Sequence, residues 1–510
     1  MLKPQIRHSR LARATVLVAF GILLSNLSGF LREAAIAAAF GLSRATDAYL
    51  IAFTLPEFVN VALSVVLGAV LVPLLTEVDL ESGLAAAWGF WRRAGARIGM
   101  TLVITAAAGA LLAPWYVPFL APGFSLAARA DAIRLSRIIW PATVVMGLSA
   151  TVTAWLHLRR HFAWPALAPA AYNLAFATIA LIAARRIGVD ALAWGVLVGT
   201  FLHLGVQSPV LAGERESGRA GERRSRGAGE KRSRRVGRLA WPLFLGYTAH
   251  HVAIFVDRAM ASALEPGSVA AIFLADHLVL VIGQLLGQAL ATTLFPELAL
   301  LSAQGDRKRL RQALVMALRW MLLLGLPAAV GLIIVRRPLI TLLFRRGAFD
   351  REAVDVTASL VAFYAGGMLA DALCQPLWRA TYALQRWQWV IGVNTLKTVL
   401  RVVGNLVLIP LLTYNGIALS ATLGMSVQLV ILLILLSVQV GRLVDKELIR
   451  FLARLLIATL GMAAIARGAL MAVLASAPEG TVEDLLALAL PTLTGGLVFI
   501  LFAWRLKLIE

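Results

Sequence analysis

Apolar segments of roughly twenty residues recur from end to end of this chain, fourteen of them in 510 residues. Each is long enough to cross about 30 Å of hydrocarbon. No water is available at that depth to satisfy backbone N–H and C=O groups, so spans of this length must be helices or closed barrels. Runs of twenty unbroken apolar residues suit helices, because barrel strands are shorter and alternate. The composition agrees: 60% of residues are hydrophobic and 15% charged, with a mean hydropathy of +0.82, where soluble domains carry about 25% charged residues. The sequence therefore reads as an all-α polytopic membrane protein with about 14 transmembrane helices.

A formal net charge of +21 raises the question of nucleic acid, and the placement of the charge argues against it. Lys and Arg concentrate in one alternate set of loops, the set that includes both termini, as the positive-inside rule requires of an even number of helices with both ends in the cytoplasm. Residues 213–238, GERESGRAGERRSRGAGEKRSRRVGR, are the densest case: ten basic residues, four Glu and no aromatic. Such a segment reads as a disordered cytoplasmic linker, with anionic membrane lipids as a secondary partner. The AAAWGFWRRAGARIG run ahead of the third span (98–120) reads as an interfacial segment with Trp88 and Trp91 at the headgroups. A single cysteine, Cys374, rules out an intramolecular disulfide. His157 and His161 lie four apart with only Arg159 and Arg160 for company, which fits a basic turn rather than a zinc half-site. The basic N-terminus and first apolar run imitate a secretory signal, but Arg32 and Glu33 interrupt the approach to the Ala37–Ala39 cleavage candidate, so the first helix is expected to be retained.

The linker divides two similar halves. Asn173 and Asn394 are 221 positions apart, as are Gly195 and Gly416, while Pro73 and Pro296 are 223 apart. FLREAAIAAAFG (30–41) roughly mirrors FVDRAMASALEPG (255–267). The shared offset points to a six-plus-six duplication with both halves in the same orientation. The expected organisation is an N-terminal six-helix lobe at 1–212, the linker at 213–238, a second six-helix lobe at 239–440, and two extra helices in 441–510.

Charges inside the spans are costly and face partners or a wet cavity. The stretch Ser25–Pro73 carries Arg32, Glu33, Asp47 and Glu57 at or near membrane depth. The second half carries Asp257 and Arg258, then Asp276 and His277, then Asp371 and Arg379. In VNTLKTVLRVVGN, residues Asn394, Lys397 and Arg401 have i, i+3, i+7 spacing and share one helix face. Pairs such as Asp257–Lys397 or Asp371–Arg379 would serve packing alone; so many intramembrane charges together mark a pathway. No HExxH, GxSxG or P-loop occurs, so the chain reads as a transporter without an ATP site, driven by an ion gradient, the membrane potential or the substrate's own gradient.

Three stretches carry a resemblance to a known family: SNLSGFLREAAIAAAFG with TDAYLIAFTLPEF, then GSVAAIFLADHLVLVIGQLLGQALATTLFPEL, and most specifically PLITLLFRRGAFDREAVDVTASLVAFYAGGM. They resemble the MurJ/MviN lipid II flippases of the multidrug/oligosaccharidyl-lipid/polysaccharide exporter superfamily over nearly the whole chain. The resemblance implies two six-helix lobes in a V around a central cavity, plus two C-terminal helices forming a lipid-tail groove. It implies translocation of an undecaprenyl-pyrophosphate-linked sugar precursor across the bacterial inner membrane, with cell-wall synthesis proteins as partners. It implies no cofactor beyond sodium or membrane-potential coupling. Carried over residue by residue, it assigns the substrate cavity to Arg32, Asp47 and the positions of Asn26, Asn60 and His277, and a sodium-associated site to Asp257 and Asn394. The family has arginine where this chain has Asn26, Asn60 and His277, and a carboxylate where it has Thr398. From these departures we expect pyrophosphate recognition to rest on Arg32, Arg258, Arg401 and His277, and Lys397 to replace a sodium ion by pairing with Asp257. A capsule or exopolysaccharide flippase, a cation-coupled drug antiporter, and a non-transporting scaffold acting through the linker are the alternatives.

Overall fold

The computed structural model describes residues 4–218, 251–476 and 480–508, and among them it contains helices and no strand. Fourteen helices follow in chain order. They are α1 (Pro4–Phe40), α2 (Arg44–Ser82), α3 (Leu84–Leu120), α4 (Leu126–Leu158), α5 (Ala163–Ile187) and α6 (Asp190–Gly218); α7, described over 251–261; and α8 (Ser268–Ala303), α9 (Arg307–Phe344), α10 (Arg351–Ala383), α11 (Trp387–Leu412), α12 (Tyr414–Val440), α13 (Lys446–Ser476) and α14 (Thr481–Arg505). Among the described residues, twelve are long and apolar enough to cross a membrane, and Ser268–Gln284 of α8 adds a shorter apolar segment.

Local chemistry sets the helix ends. Ser43, Ser125, Asp306 and Asp350 each accept a hydrogen bond from the N–H three residues on, the usual N-cap arrangement. Prolines lie inside most of the helices, Pro56 and Pro73 in α2 among them, which apolar neighbours and side-chain hydroxyls tolerate at membrane depth. Asp445 caps α13 by accepting the Leu448 N–H at 2.8 Å. That bond, with Arg311 and Arg319 nearby, holds its carboxyl below the usual carboxylate range. A carboxyl held low contributes stability above its unfolded pKa, so this contribution persists at neutral pH and fades only as the pH falls through the lowered value.

The chain forms two compact units, residues 1–267 and 268–510. In the first, α2 packs on α3 and α4, α4 on α3 and α6, and α5 on α6; in the second, α8 packs on α9 and α10, α10 on α9 and α12, and α11 on α12. Each pair recurs six helices later, which is the packing a duplication produces. α13 and α14 pair with each other and dock on α9, outside the repeat. The compact units divide after α7, whereas the sequence repeat divides at the linker. α7 stays with the first unit because Arg258 and the 262–267 turn are bonded to α2 and to the turn after α3.

Two expectations are corrected. The AAAWGFWRRAGARIG run is not a separate interfacial segment but the first turns of α3, and Trp88 is only 5% exposed. It packs edge-on against Trp155 at 4.8 Å, with Trp91 beside both, and the Trp91 indole N–H donates to the Thr151 carbonyl at 2.8 Å. Trp88 and Trp91 thus pack their indoles against Trp155 of α4, and aromatic pairs in such edge-on and tilted geometry stabilise beyond the area they bury. Trp155→Ala, at a fully buried position, is expected to cost about 3–5 kcal/mol, read as a lower melting temperature and poorer yield in detergent. The second correction concerns the linker, whose first residues, 213–218, continue α6 as helix; residues 219–238 lie outside those described.

Candidate functional site

Arg32 is the centre of the first unit's polar interior. It sits in the last third of α1, where the small residues Ala35 and Ala37 pack closely and are buried. Its Nη2 lies 2.6 Å from Glu33 Oε1, and its Nη1 donates to Asn173 Oδ1 on α5 at 3.2 Å. The guanidinium stands 5.8 Å from the centroids of both the Tyr172 and Phe176 rings. Asn173 in turn donates to the Ser25 carbonyl at 3.2 Å and to Ser28 Oγ at 3.3 Å. Glu33 is 4% exposed, so the pair is desolvated on the carboxylate side while Arg32 keeps a fifth of its side chain open. An aromatic shelf under a guanidinium leaves its outer N–H groups available to an anion.

A second guanidinium enters from α7. Arg258 is 9% exposed; its Nη1 donates to Thr54 Oγ1 at 2.7 Å, and its Nη2 to Glu57 Oε2 at 3.4 Å. Both partners belong to α2, two residues before and one residue after Pro56. The Leu50 carbonyl accepts from Arg258 at 3.4 Å and from the Thr54 hydroxyl at 2.7 Å.

At the end of the first unit where α2 begins, Asp47 is fully buried, and its Oδ2 accepts the Gly267 N–H at 2.7 Å. Arg44 donates to the Ser262 carbonyl at 3.3 Å, and the Gly123 N–H donates to Ser262 Oγ at 3.2 Å. Two glycines make the approach this close. A Cβ on Gly123 would stand 2.2 Å from Ala263 Cα, and Gly267, at φ +91, has Leu42 backbone 2.6 Å from where a Cβ would be. Asp47 is thus a tie between α2 and the α7–α8 turn.

The remaining expected cavity positions separate. Asn26 is exposed on α1, one residue after the Ser25 carbonyl that Asn173 holds. Asn60 is 8% exposed on α2, and its Oδ1 has no hydrogen-bond partner among the described residues. Asp257 is 4% exposed beside Arg258.

In the second unit, His277 is half-buried and stacks on Phe273 at 5.8 Å with ring planes 12° apart. Asn394, Lys397 and Arg401 are all half-buried, while Ile391, Leu396, Val399 and Val403 between them are exposed, so the polar stripe is the inward side of α11. Asn394 Nδ2 donates to the Val390 carbonyl at 2.9 Å. Asp371, on α10, accepts from Gln375 at 3.2 Å and lies within electrostatic reach of Lys397 and Asp276; Lys397 also feels Arg401. Asp257 and Lys397 belong to different units.

Sequence reasoning missed Thr54, and it read Asn173 only as a repeat marker rather than as a ligand of Arg32. An amide in the middle of the apolar run AAYNLAF was itself the available signal, since a polar side chain at that depth needs a partner.

The sequence profile of the family described as "Lipid II flippase MurJ" matches residues 36–490. This chain belongs to the lipid II flippase MurJ family. Among MurJ relatives, a lipid II flippase MurJ from Burkholderia cenocepacia is 29% identical over 419 residues, covering 81% of this chain and 81% of that protein. A probable lipid II flippase MurJ from Vibrio cholerae is 23% identical over 474 residues, covering 91% of this chain and 89% of that one. A solved structure of lipid II flippase MurJ in an inward closed conformation aligns with a TM-score of 0.78 at 20% identity, over 97% of this chain and 100% of that chain. An inward-facing MATE family transporter of the MOP superfamily shares the fold at a TM-score of 0.66 and 14% identity, over 84% of this chain and 98% of that chain. The MurJ fold therefore accounts for all fourteen helices, α13 and α14 included.

Proposed function

We propose that this protein is a flippase that carries lipid II, an undecaprenyl-pyrophosphate-linked peptidoglycan precursor, from the inner to the outer leaflet by alternating access. The observation that carries this reading is the MurJ family match across 36–490. The geometry supplies the chemistry such a cargo needs. A pyrophosphate headgroup crossing the membrane loses its water and requires replacement donors; Arg32 and Arg258 are two guanidinium groups already held within the first unit by Glu33, Asn173, Thr54 and Glu57. Arg32, stacked on Tyr172 and Phe176, is the better placed to exchange its bond to Asn173 for phosphate oxygens, because guanidinium pairs with phosphate through its planar fork. Arg401, on the inward side of α11, adds a further guanidinium in the second unit. The work is transport, and no bond of the cargo changes.

The multi-pass helical architecture makes this a membrane protein, and the distribution of Lys and Arg supports a cytoplasmic-membrane topology with both termini inside. The direct test is reconstitution: proteoliposomes loaded with labelled lipid II should expose the label to an external reagent faster than protein-free vesicles. Equal rates would overturn the reading. A flippase for a different lipid-linked oligosaccharide is the second reading, favoured by Asn26, Asn60 and His277 standing where the resemblance calls for arginine. It predicts that an exopolysaccharide or capsule lipid, and not lipid II, is accelerated in the same vesicles.

Lys397 supports a sodium-independent cycle. Its ammonium lies within electrostatic reach of Asp371, in the place of a free cation on the inward side of α11. Sodium should leave the melting temperature of the purified protein unchanged, and Lys397→Ala should create a sodium-dependent rise. A rise in the unsubstituted protein, abolished by Asp257→Ala, would show that sodium binds after all.

A further inference from the structure

The second unit contains a cavity of about 750 Å³ where α9 begins, α13 begins and α14 ends. That volume falls in the range of small-molecule sites. Its walls carry both cationic and apolar side chains: Arg319 adjoins Trp320 on α9, Phe451 lies between Arg450 and Arg454 on α13, and Leu323 and Leu508 complete the apolar part. Leu323 and Leu508 belong to a buried apolar cluster with Leu455, Ala458 and Ala503, which closes the floor.

The cationic wall has more positive groups than its carboxylates can match. Arg311 pairs with Asp445 at 2.9 Å and Arg319 with Glu447 at 3.1 Å, and the Arg319 guanidinium lies 5.9 Å from the Phe451 ring centroid. Both carboxylates of the cavity are thereby matched. Arg450 and Arg454, one turn apart on α13, also line it and have no carboxylate partner among the described residues; Arg454 makes only a long contact, 3.5 Å, to the Leu506 carbonyl. Two arginines left facing a cavity with an apolar floor call for a ligand that is anionic at one end and apolar at the other. Basic pockets between membrane helices on the cytoplasmic side meet that description with lipid headgroups.

We propose that this cavity is a binding site for an anionic glycerophospholipid of the cytoplasmic leaflet, its phosphodiester on Arg450 and Arg454 and its acyl chains along Trp320, Leu323 and Phe451. Such a lipid would tie the C-terminal pair of helices to α9 within the second unit. The site makes no use of the transported cargo, and it stands whether that cargo is lipid II or another sugar lipid.

The test uses the full-length protein in detergent micelles doped with phosphatidylglycerol, with phosphatidylcholine, or with inorganic phosphate. Melting temperature and lipid retained in native mass spectra are read for each. Phosphatidylglycerol should be retained and should raise the melting temperature; phosphatidylcholine and free phosphate should not. With roughly a fivefold effect per arginine near a membrane surface, Arg450→Gln combined with Arg454→Gln should weaken phosphatidylglycerol retention by about 30-fold while the basic linker remains intact. Gln keeps the stem and the helix, so the variant should fold, and its melting temperature without added lipid checks that. Equal retention of phosphatidylcholine, a shift reproduced by inorganic phosphate, or undiminished retention by the double variant would each overturn the proposal.

Discussion

Arg32→Ala should slow lipid translocation by about 10- to 100-fold, and adding Glu33→Gln should restore the folded protein without restoring transport. The first half of that expectation has two causes that must be separated. Glu33 is buried and its carboxylate is held by Arg32 Nε at 3.2 Å and Nη2 at 2.6 Å. Removing the guanidinium strands a desolvated charge, which costs about 3–5 kcal/mol, enough to lower the amount of folded protein on its own. Replacing the carboxylate by an amide removes the stranded charge and recovers most of that loss. What the amide cannot recover is the cation proposed above to meet pyrophosphate. Charge-assisted hydrogen bonds contribute about 1.5–3 kcal/mol each, so losing even one in the rate-limiting state slows flipping by about 10- to 100-fold. Arg32→Lys should fall between, because an ammonium keeps the charge and loses the fork. Flipping rates per folded molecule in proteoliposomes, set beside melting temperatures, make the distinction. Transport surviving in the double variant would leave Arg32 as a packing charge and move the headgroup to Arg258.

How much of this was legible in the sequence depends on the range of the interaction. The helices were, because a twenty-residue apolar run in lipid has one backbone solution, and the repeat was, because Asn173 and Asn394 keep their spacing to Gly195 and Gly416. Trp88 was misread for a physical reason. A Trp beside two arginines fits the headgroup region locally, and only the distant Trp155, on a helix more than sixty residues later, turns it inward. Arg32 and Arg258 were found because charge at membrane depth is conspicuous. Their partners were not, because Thr54 and Asn173 are ordinary polar residues until the fold brings α2 against α7 and α1 against α5. Arg450 and Arg454 were hidden for the opposite reason: at the end of a membrane helix, arginines look like topology signals, and nothing local says that they share a cavity with Trp320.

Asp47→Ala should release the end of the first unit at which α2 begins, and the effect should be large because the bond it removes is buried and charged. The Asp47 carboxylate accepts the Gly267 N–H at 2.7 Å with no exposed surface of its own; its loss also leaves that backbone donor without its partner, and together these cost about 1.5–3 kcal/mol. If the closed and open arrangements of this end differ by a few kcal/mol, as in most two-state transporters and switches, that loss shifts their ratio by about 10- to 100-fold. A second variant reaches the same state without touching charge. Gly123→Val places a branched side chain where even a Cβ would stand 2.2 Å from Ala263 Cα, so the 262–267 turn must move away. The measurement is the distance between spin labels at Leu126 and Glu265, both exposed and on opposite sides of the tie. Both variants should lengthen and broaden that distance, and both should slow flipping, because alternating access needs each end to close as well as to open. A distance unchanged in Asp47→Ala and in Gly123→Val would show that Asp47 holds a rigid corner of the fold. Lengthening in Gly123→Val alone would mean that packing, and not the carboxylate, keeps this end shut.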